Sequence, residues 1–104
     1  MVLYVSKWDI RPEKREEYAK WAEGTIRRIM EMPGIAEFRG YRPATGSHEV
    51  AVTYEFPDMN AFTSWVSNEE LQKLFVEARS YCENITSELW GPSPVVPKPI
   101  RARS

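Results

Sequence analysis

With 104 residues, 42% of them hydrophobic and 28% charged, the chain has the size and composition of one globular domain with a modest core and no room for a second. Fourteen basic residues against fifteen acidic ones leave a net charge of -1, which argues against electrostatically driven binding to nucleic acid or to an anionic membrane. Cys82 is alone and so excludes an internal disulfide, and with His48 as the single histidine there is no ligand set for structural zinc, so metal dependence is not expected unless carboxylates supply the ligands.

The first element is a strand, VLYVSKWD over 2–9, rich in β-branched and aromatic residues. Alternation places Val2, Tyr4, Ser6 and Trp8 on one face and Leu3, Val5, Lys7 and Asp9 on the other, so both faces carry apolar side chains. The N-terminus lacks the basic region, apolar block and cleavage site of an export signal, and a cytoplasmic location is expected. From Pro12, suited to a first helical turn, the period changes: Tyr18, Trp21, Ala22, Thr25, Ile26, Ile29 and Met30 recur at spacings of three and four, predicting an amphipathic helix.

MPGI (32–35) ends that helix, because proline cannot continue the hydrogen-bond ladder and glycine supplies the turn. A second strand over roughly 35–42, a turn RPATGSH and a third strand over 48–56 read as a hairpin. Asp58 is the expected cap of a short helix carrying Phe62, Trp65 and Val66. A further helix then restarts from either Ser67, which has capping-box spacing to Glu70, or Asn68. Its stripe is Leu71, Leu74, Phe75, Ala78 and Cys82, and NITSELW (84–90) is the last strand. After Gly91 there are four prolines in eight residues and no periodicity, so 92–104 is expected to be an extended arm appended to a domain over 1–91.

Strand, helix, strand, strand, helix, strand is the βαββαβ order of an α+β ferredoxin-like fold with an antiparallel sheet. Helices in that fold cover one sheet face. Apolar residues on both faces therefore call for a second cover, most simply another copy of the chain, and a homodimer is expected.

The segments MPGI, EVAVTYEF and AFTSWVSNEELQKLF, in this order and spacing, make residues 2–90 similar to the antibiotic biosynthesis monooxygenase (ABM) family of the dimeric α+β barrel superfamily. The resemblance implies a dimer with facing sheets and a pocket between sheet and helices in each subunit. In the cofactor-free oxygenases of the family that pocket takes a flat, electron-rich phenol or anthrone, whose anion reacts directly with O2. The resemblance thus implies a small aromatic or hydrophobic ligand and no cofactor, with no nucleic acid and no membrane partner expected. A non-catalytic dimeric binding module on the same fold is the competing reading.

Trp65 falls where the haem-degrading branch of the family has a pocket tryptophan. That branch also uses an asparagine on the first strand and a haem-ligating histidine about ten residues past the tryptophan, whereas this chain has Ser6 and Phe75 there, so haem degradation is not expected. Trp65, Trp8, Tyr4, Phe62, Phe75 and Tyr54 are the candidate substrate-binding residues, and Trp65 either walls the pocket or fills it. His48, Asn60 and Ser6 are the candidate catalytic polar groups. His48 is either a base or a solvated turn residue, and Asn60 either a hydrogen-bond donor or a helix-start residue.

Overall fold

The computed structural model describes residues 1–103. Its elements run β1 (Val2–Ile10), a single 3-10 turn (Pro12–Lys14), α1 (Arg15–Met30), β2 (Glu37–Tyr41), β3 (Val50–Phe56), α2 (Met59–Val66), α3 (Glu69–Tyr81) and β4 (Cys82–Trp90). The four strands form one sheet in the order β2-β3-β1-β4 with every pairing antiparallel, which is the expected ferredoxin-like α+β arrangement. None of its helices is long and apolar enough to cross a membrane.

Strand register decides which face the helices cover. Tyr4 lies opposite Tyr54, Ser6 opposite Val52 and Val2 opposite Phe56, and this row meets α1, α2 and α3 in a core of Ile29, Trp65, Leu71 and Leu74. The opposite row, Leu3 beside Glu55 and Val5 beside Thr53, carries no helix. Helix starts follow side-chain chemistry. Asp58 accepts the Ala61 N–H at 2.8 Å to open α2, and of the two candidate caps for α3 the structure uses Asn68, which accepts the Glu70 N–H at 2.9 Å.

The element ends depart from expectation where polar side chains or strand pairing intervene. The third strand begins at Val50 rather than His48, because the Glu49 N–H donates to Asp9 Oδ1 (3.0 Å) and His48 Nε2 bonds the Asn84 carbonyl (3.0 Å). The second strand covers only Glu37–Tyr41, since Ile35 and Ala36 belong to the turn, tethered by Ala36 N–H to the Glu55 carbonyl at 2.7 Å. Cys82 leaves the helical stripe and starts β4, because Ile10 pairs with it and the Arg11 N–H takes the Tyr81 carbonyl at 2.9 Å. The bulge between Lys7 and Asp9 is relieved at Asn84, whose φ of +54° suits asparagine and whose amide donates to Asp9 Oδ2 at 2.9 Å.

Trp65 is 1% exposed, with ring centroids 4.9 Å from Tyr54, 5.1 Å from Phe56 and 5.7 Å from Tyr4. Gly34 makes room for it: its φ is +112°, and a Cβ there would stand 3.0 Å from the Ala61 carbonyl and 3.6 Å from Trp65 Cβ. At the other end of the helical layer, Trp21 on α1 stacks on Tyr81 at 5.0 Å and 21°, and its indole donates to Glu77 Oε1 at 2.9 Å. Arg28 donates to both oxygens of Glu77, at 3.2 and 3.3 Å, so α1 and α3 are joined by one carboxylate and one aromatic stack.

Both joints can be tested by their effect on stability. Trp65→Ala should cost about 3–5 kcal/mol in chemical denaturation, the range for emptying a large buried aromatic site; a loss below about 1 kcal/mol would mean the ring is not in the core. Hydrogen bonds from Arg28, then from Trp21, hold the Glu77 carboxyl below its ordinary range. A depressed carboxyl pKa contributes stability above the ordinary glutamate range and loses it as pH falls through the lowered value. Glu77→Gln should therefore be less stable than the parent at neutral pH, with the two urea midpoints converging in acid; a pH-independent gap would contradict this.

Candidate functional site

Between the helix-covered sheet face and the α1–α3 roof lies a cavity of about 640 Å3, within the usual range for small-molecule sites. Its floor is Tyr4, Ser6 and Trp8 of β1 with Val50, Val52 and Tyr54 of β3. Tyr18, Trp21, Thr25 and Ile29 of α1 and Leu74, Phe75, Ala78 and Arg79 of α3 form the roof, and Cys82, Ile85 and Ser87 the β4 side. Tyr4 to Trp8 is about 13 Å at roughly 3.3 Å per strand residue, so the floor is an elongated aromatic strip. Gly40 of β2 widens it, since a Cβ built there meets nothing within 4 Å.

Five of the sequence candidates, Tyr4, Ser6, Trp8, Tyr54 and Phe75, meet on this cavity. The other four do not. Trp65 fills the core beside it, and Phe62 packs at 5.4 Å on Phe56 and 5.6 Å on Tyr4. Asn60 is an exposed residue in the first turn of α2. His48 is held at the sheet end by the Asn84 carbonyl. For Trp65 and Phe62 the reason is general: a helical apolar spacing marks a side chain as inward-facing without saying whether a neighbour or a void awaits it.

By spacing alone Tyr18 and Trp21 belong to the apolar stripe of α1, yet both line the cavity. An aromatic hydroxyl on a helix facing an aromatic strand is the signal in the sequence that could have found them. Trp8 Nε1 donates to the Tyr18 hydroxyl at 3.2 Å. An indole N–H is a donor only, so Tyr18 must accept, and its own O–H has no protein acceptor among the described residues. The Tyr4 and Tyr54 hydroxyls likewise make no protein hydrogen bond among the described residues. Ser6 differs: its hydroxyl donates to the Thr86 carbonyl at 3.3 Å and lies 3.2 Å from the Ser87 hydroxyl, so the serine pair is satisfied within the sheet.

Burial raises the Tyr18 hydroxyl pKa against the lowering effect of the Trp8 bond. Burial likewise raises that of Tyr54, reinforced by the nearby Tyr4 and Tyr18. Burial also pushes the Cys82 thiol up to about 11. The ionisable groups on the wall are tyrosines, this thiol and the Arg79 guanidinium, with neither a carboxylate nor a histidine beside them. Among the described residues, the cavity thus offers hydrogen-bond donors to a ligand oxygen and no base. The histidine ligand of the haem-degrading branch is missing: Phe75 has no lone pair for iron, and no histidine is among the wall residues.

The family model described as antibiotic biosynthesis monooxygenase matches residues 1–76. No curated protein matches the chain. Among solved structures, a Dabb family protein with a ferredoxin-like fold from Mesorhizobium loti has a TM-score of 0.77 at 11% identity, over 88% of this chain and 96% of that one. A crystallised antibiotic biosynthesis monooxygenase has a TM-score of 0.73 at 15% identity, over 90% and 100%. SnoaB, a cofactor-independent oxygenase from Streptomyces nogalater, has a TM-score of 0.72 at 13% identity, over 93% and 97%. These identities speak for the fold alone. The family match reaches from β1 into α3 and carries the assignment: the chain belongs to the antibiotic biosynthesis monooxygenase family.

Proposed function

We propose that this protein is a cofactor-independent monooxygenase that binds a small aromatic phenol or anthrone in the helix-side cavity and oxidises it with O2. The cavity carries the reading: it has an elongated aromatic floor, room for fused rings, and tyrosine hydroxyls with hydrogens to donate. The anthrone methylene loses a proton, the carbanion reduces O2 and combines with it, and the hydroperoxide loses water to leave a carbonyl. One methylene and one dioxygen thus give one carbonyl and one water: one oxygen atom stays on the ring carbon, and the other leaves with both methylene hydrogens. With no base on the wall, the first proton leaves to solvent. The protein's part is to orient the ring and to stabilise the developing oxyanion through donors such as Tyr18 and Tyr54. Trp8 acts behind Tyr18 by occupying its lone pair and turning its hydrogen towards the ligand.

The expected result with 1,8-dihydroxyanthrone under air is O2 uptake and quinone formation well above buffer, and none under argon. Tyr18→Phe should slow turnover by about 100-fold, the usual cost of one oxyanion donor, and Gly40→Leu, whose side chain enters open cavity space, should abolish binding. Ring binding by tryptophan quenching without any acceleration would favour the non-catalytic binding module, a reading that the absence of a wall base supports.

The active unit in this proposal is a homodimer, and its setting the cytoplasm, with which a single free cysteine agrees. The sheet face away from the helices holds Leu3, Val5, Ala51 and Thr53 at its centre, of which Val5 and Ala51 are buried, and Tyr41 and Trp90 are about half exposed, at 50% and 47%. Residues 92–104 are read as an arm lying along the second copy. Residues 92–103 are exposed, and the radius of gyration of 15.0 Å exceeds the roughly 13 Å of a compact chain this long. Thr53→Arg should yield monomers in sedimentation, and deleting 92–104 should weaken the dimer; an undisturbed dimer in either case would remove that part of the proposal.

A further inference from the structure

Arg79 is the one charged residue on the cavity wall among the described residues, and its environment is unusual for this chain. Of the arginines within helices and strands, Arg15 pairs with Glu49, Arg27 with Glu23, Arg28 with Glu77 and Arg39 with Glu37. Arg79 has no carboxylate partner among the described residues. The acids at its end of the molecule are engaged elsewhere: Glu83 faces Arg11 at 3.8 Å, and Glu77 is held by Arg28 and Trp21. None of the residues lining the cavity carries a carboxylate. Its backbone is pinned, since the Arg79 carbonyl accepts from Arg11 Nε at 3.2 Å. A position in the last turn of α3 suits any cation through the helix dipole, but that preference does not require a place on the cavity wall or the lack of a partner; the side chain is exposed, so it stands at the mouth of the cavity.

From this we infer that the ligand is an aromatic acid, whose carboxylate meets the Arg79 guanidinium while its rings lie along the floor towards Tyr4. The inference rests on the cavity being the ligand site, and it narrows the substrate class to flat molecules with an anionic group at one end. A guanidinium presents a planar pair of donors that matches a carboxylate, and beside an apolar strip such a pairing discriminates against a neutral analogue of the same shape. Trp8 holds the Tyr18 hydroxyl at its own end of the floor, near Arg11 and the Arg79 carbonyl that Arg11 reaches, which leaves the Tyr54 hydroxyl, beside Tyr4, for a ring oxygen further along. Two separated recognition points would set the direction in which the ring enters.

The test is a matched pair, anthraquinone-2-carboxylic acid and its carboxamide, titrated against the full chain by tryptophan quenching. The acid should bind about tenfold tighter than the amide, with the preference shrinking as salt rises. Arg79→Gln should erase the preference by weakening the acid more than the amide, and Arg79→Lys should retain part of it. Near-UV circular dichroism checks that both variants keep the parent packing. Equal affinity of the two compounds for the parent, or a preference that survives Arg79→Gln, overturns the Arg79 assignment and leaves the cavity as a ring site. If neither compound binds, both this inference and the cavity reading fall.

Discussion

The seating of Trp65 against the sheet is the contact on which the remaining architecture depends. Its indole is pressed on Tyr54, Phe56 and Tyr4, and the backbone carrying it approaches the Gly34 turn so closely that a Cβ there would be crowded as well as strained by the positive φ. A close-packed interior tolerates neither a void nor an extra methyl at such a point. Two segments far apart in sequence, the MPGI turn after α1 and the short helix α2, are therefore matched as knob and recess. Trp65 Nε1 is buried with no protein partner among the described residues, a polar cost that the surrounding aromatic contacts must exceed.

Filling one end of the helical layer leaves the other end hollow. Where α2 lies on the sheet, aromatic rings close the core; past Ser6 the roof is α1 and α3, held by the Trp21–Tyr81 stack and the Glu77 carboxylate rather than by interdigitated aliphatics. Struts of this kind keep two helices at a fixed distance without occupying the space beneath them. The same division explains the chemistry of the wall. Aromatic residues with hydroxyls line the void, their hydrogens unclaimed among the described residues, whereas the serines beside them are satisfied within the strand pairing. In the proposed oxygenation, such fixed donors would stabilise charge on a ligand oxygen.

His48 illustrates how polar groups near a sheet end serve the backbone first. It joins Asp9, Glu49 and Asn84 in a set of hydrogen bonds around the β1 bulge, where the ladder alone would leave donors and acceptors unpaired. Hydrogen bonds from the Asn84 amide and the Glu49 N–H lower the Asp9 pKa, so that carboxylate stays charged as the hub. A lone histidine in a sequence invites a catalytic reading; here its neighbours occupy it with structure.

Element type, order and the two faces of each strand were legible in the sequence, because side-chain alternation and helical spacing are local geometry that every residue obeys. So were the Asp58 cap and the glycine turn, which answer to backbone needs a few residues wide. The fates of Trp65, Phe62, Tyr18 and Trp21 were not, since periodicity says that a side chain points inward but not what lies opposite it. That depends on where α2 ends along the sheet and how far α1 and α3 stand above it, set by contacts between segments such as Gly34 with Ala61 and Trp21 with Glu77. The sequence by itself determined an α+β chain with aromatic residues facing inward; tertiary packing alone decided which of those rings became core and which became the wall of a cavity.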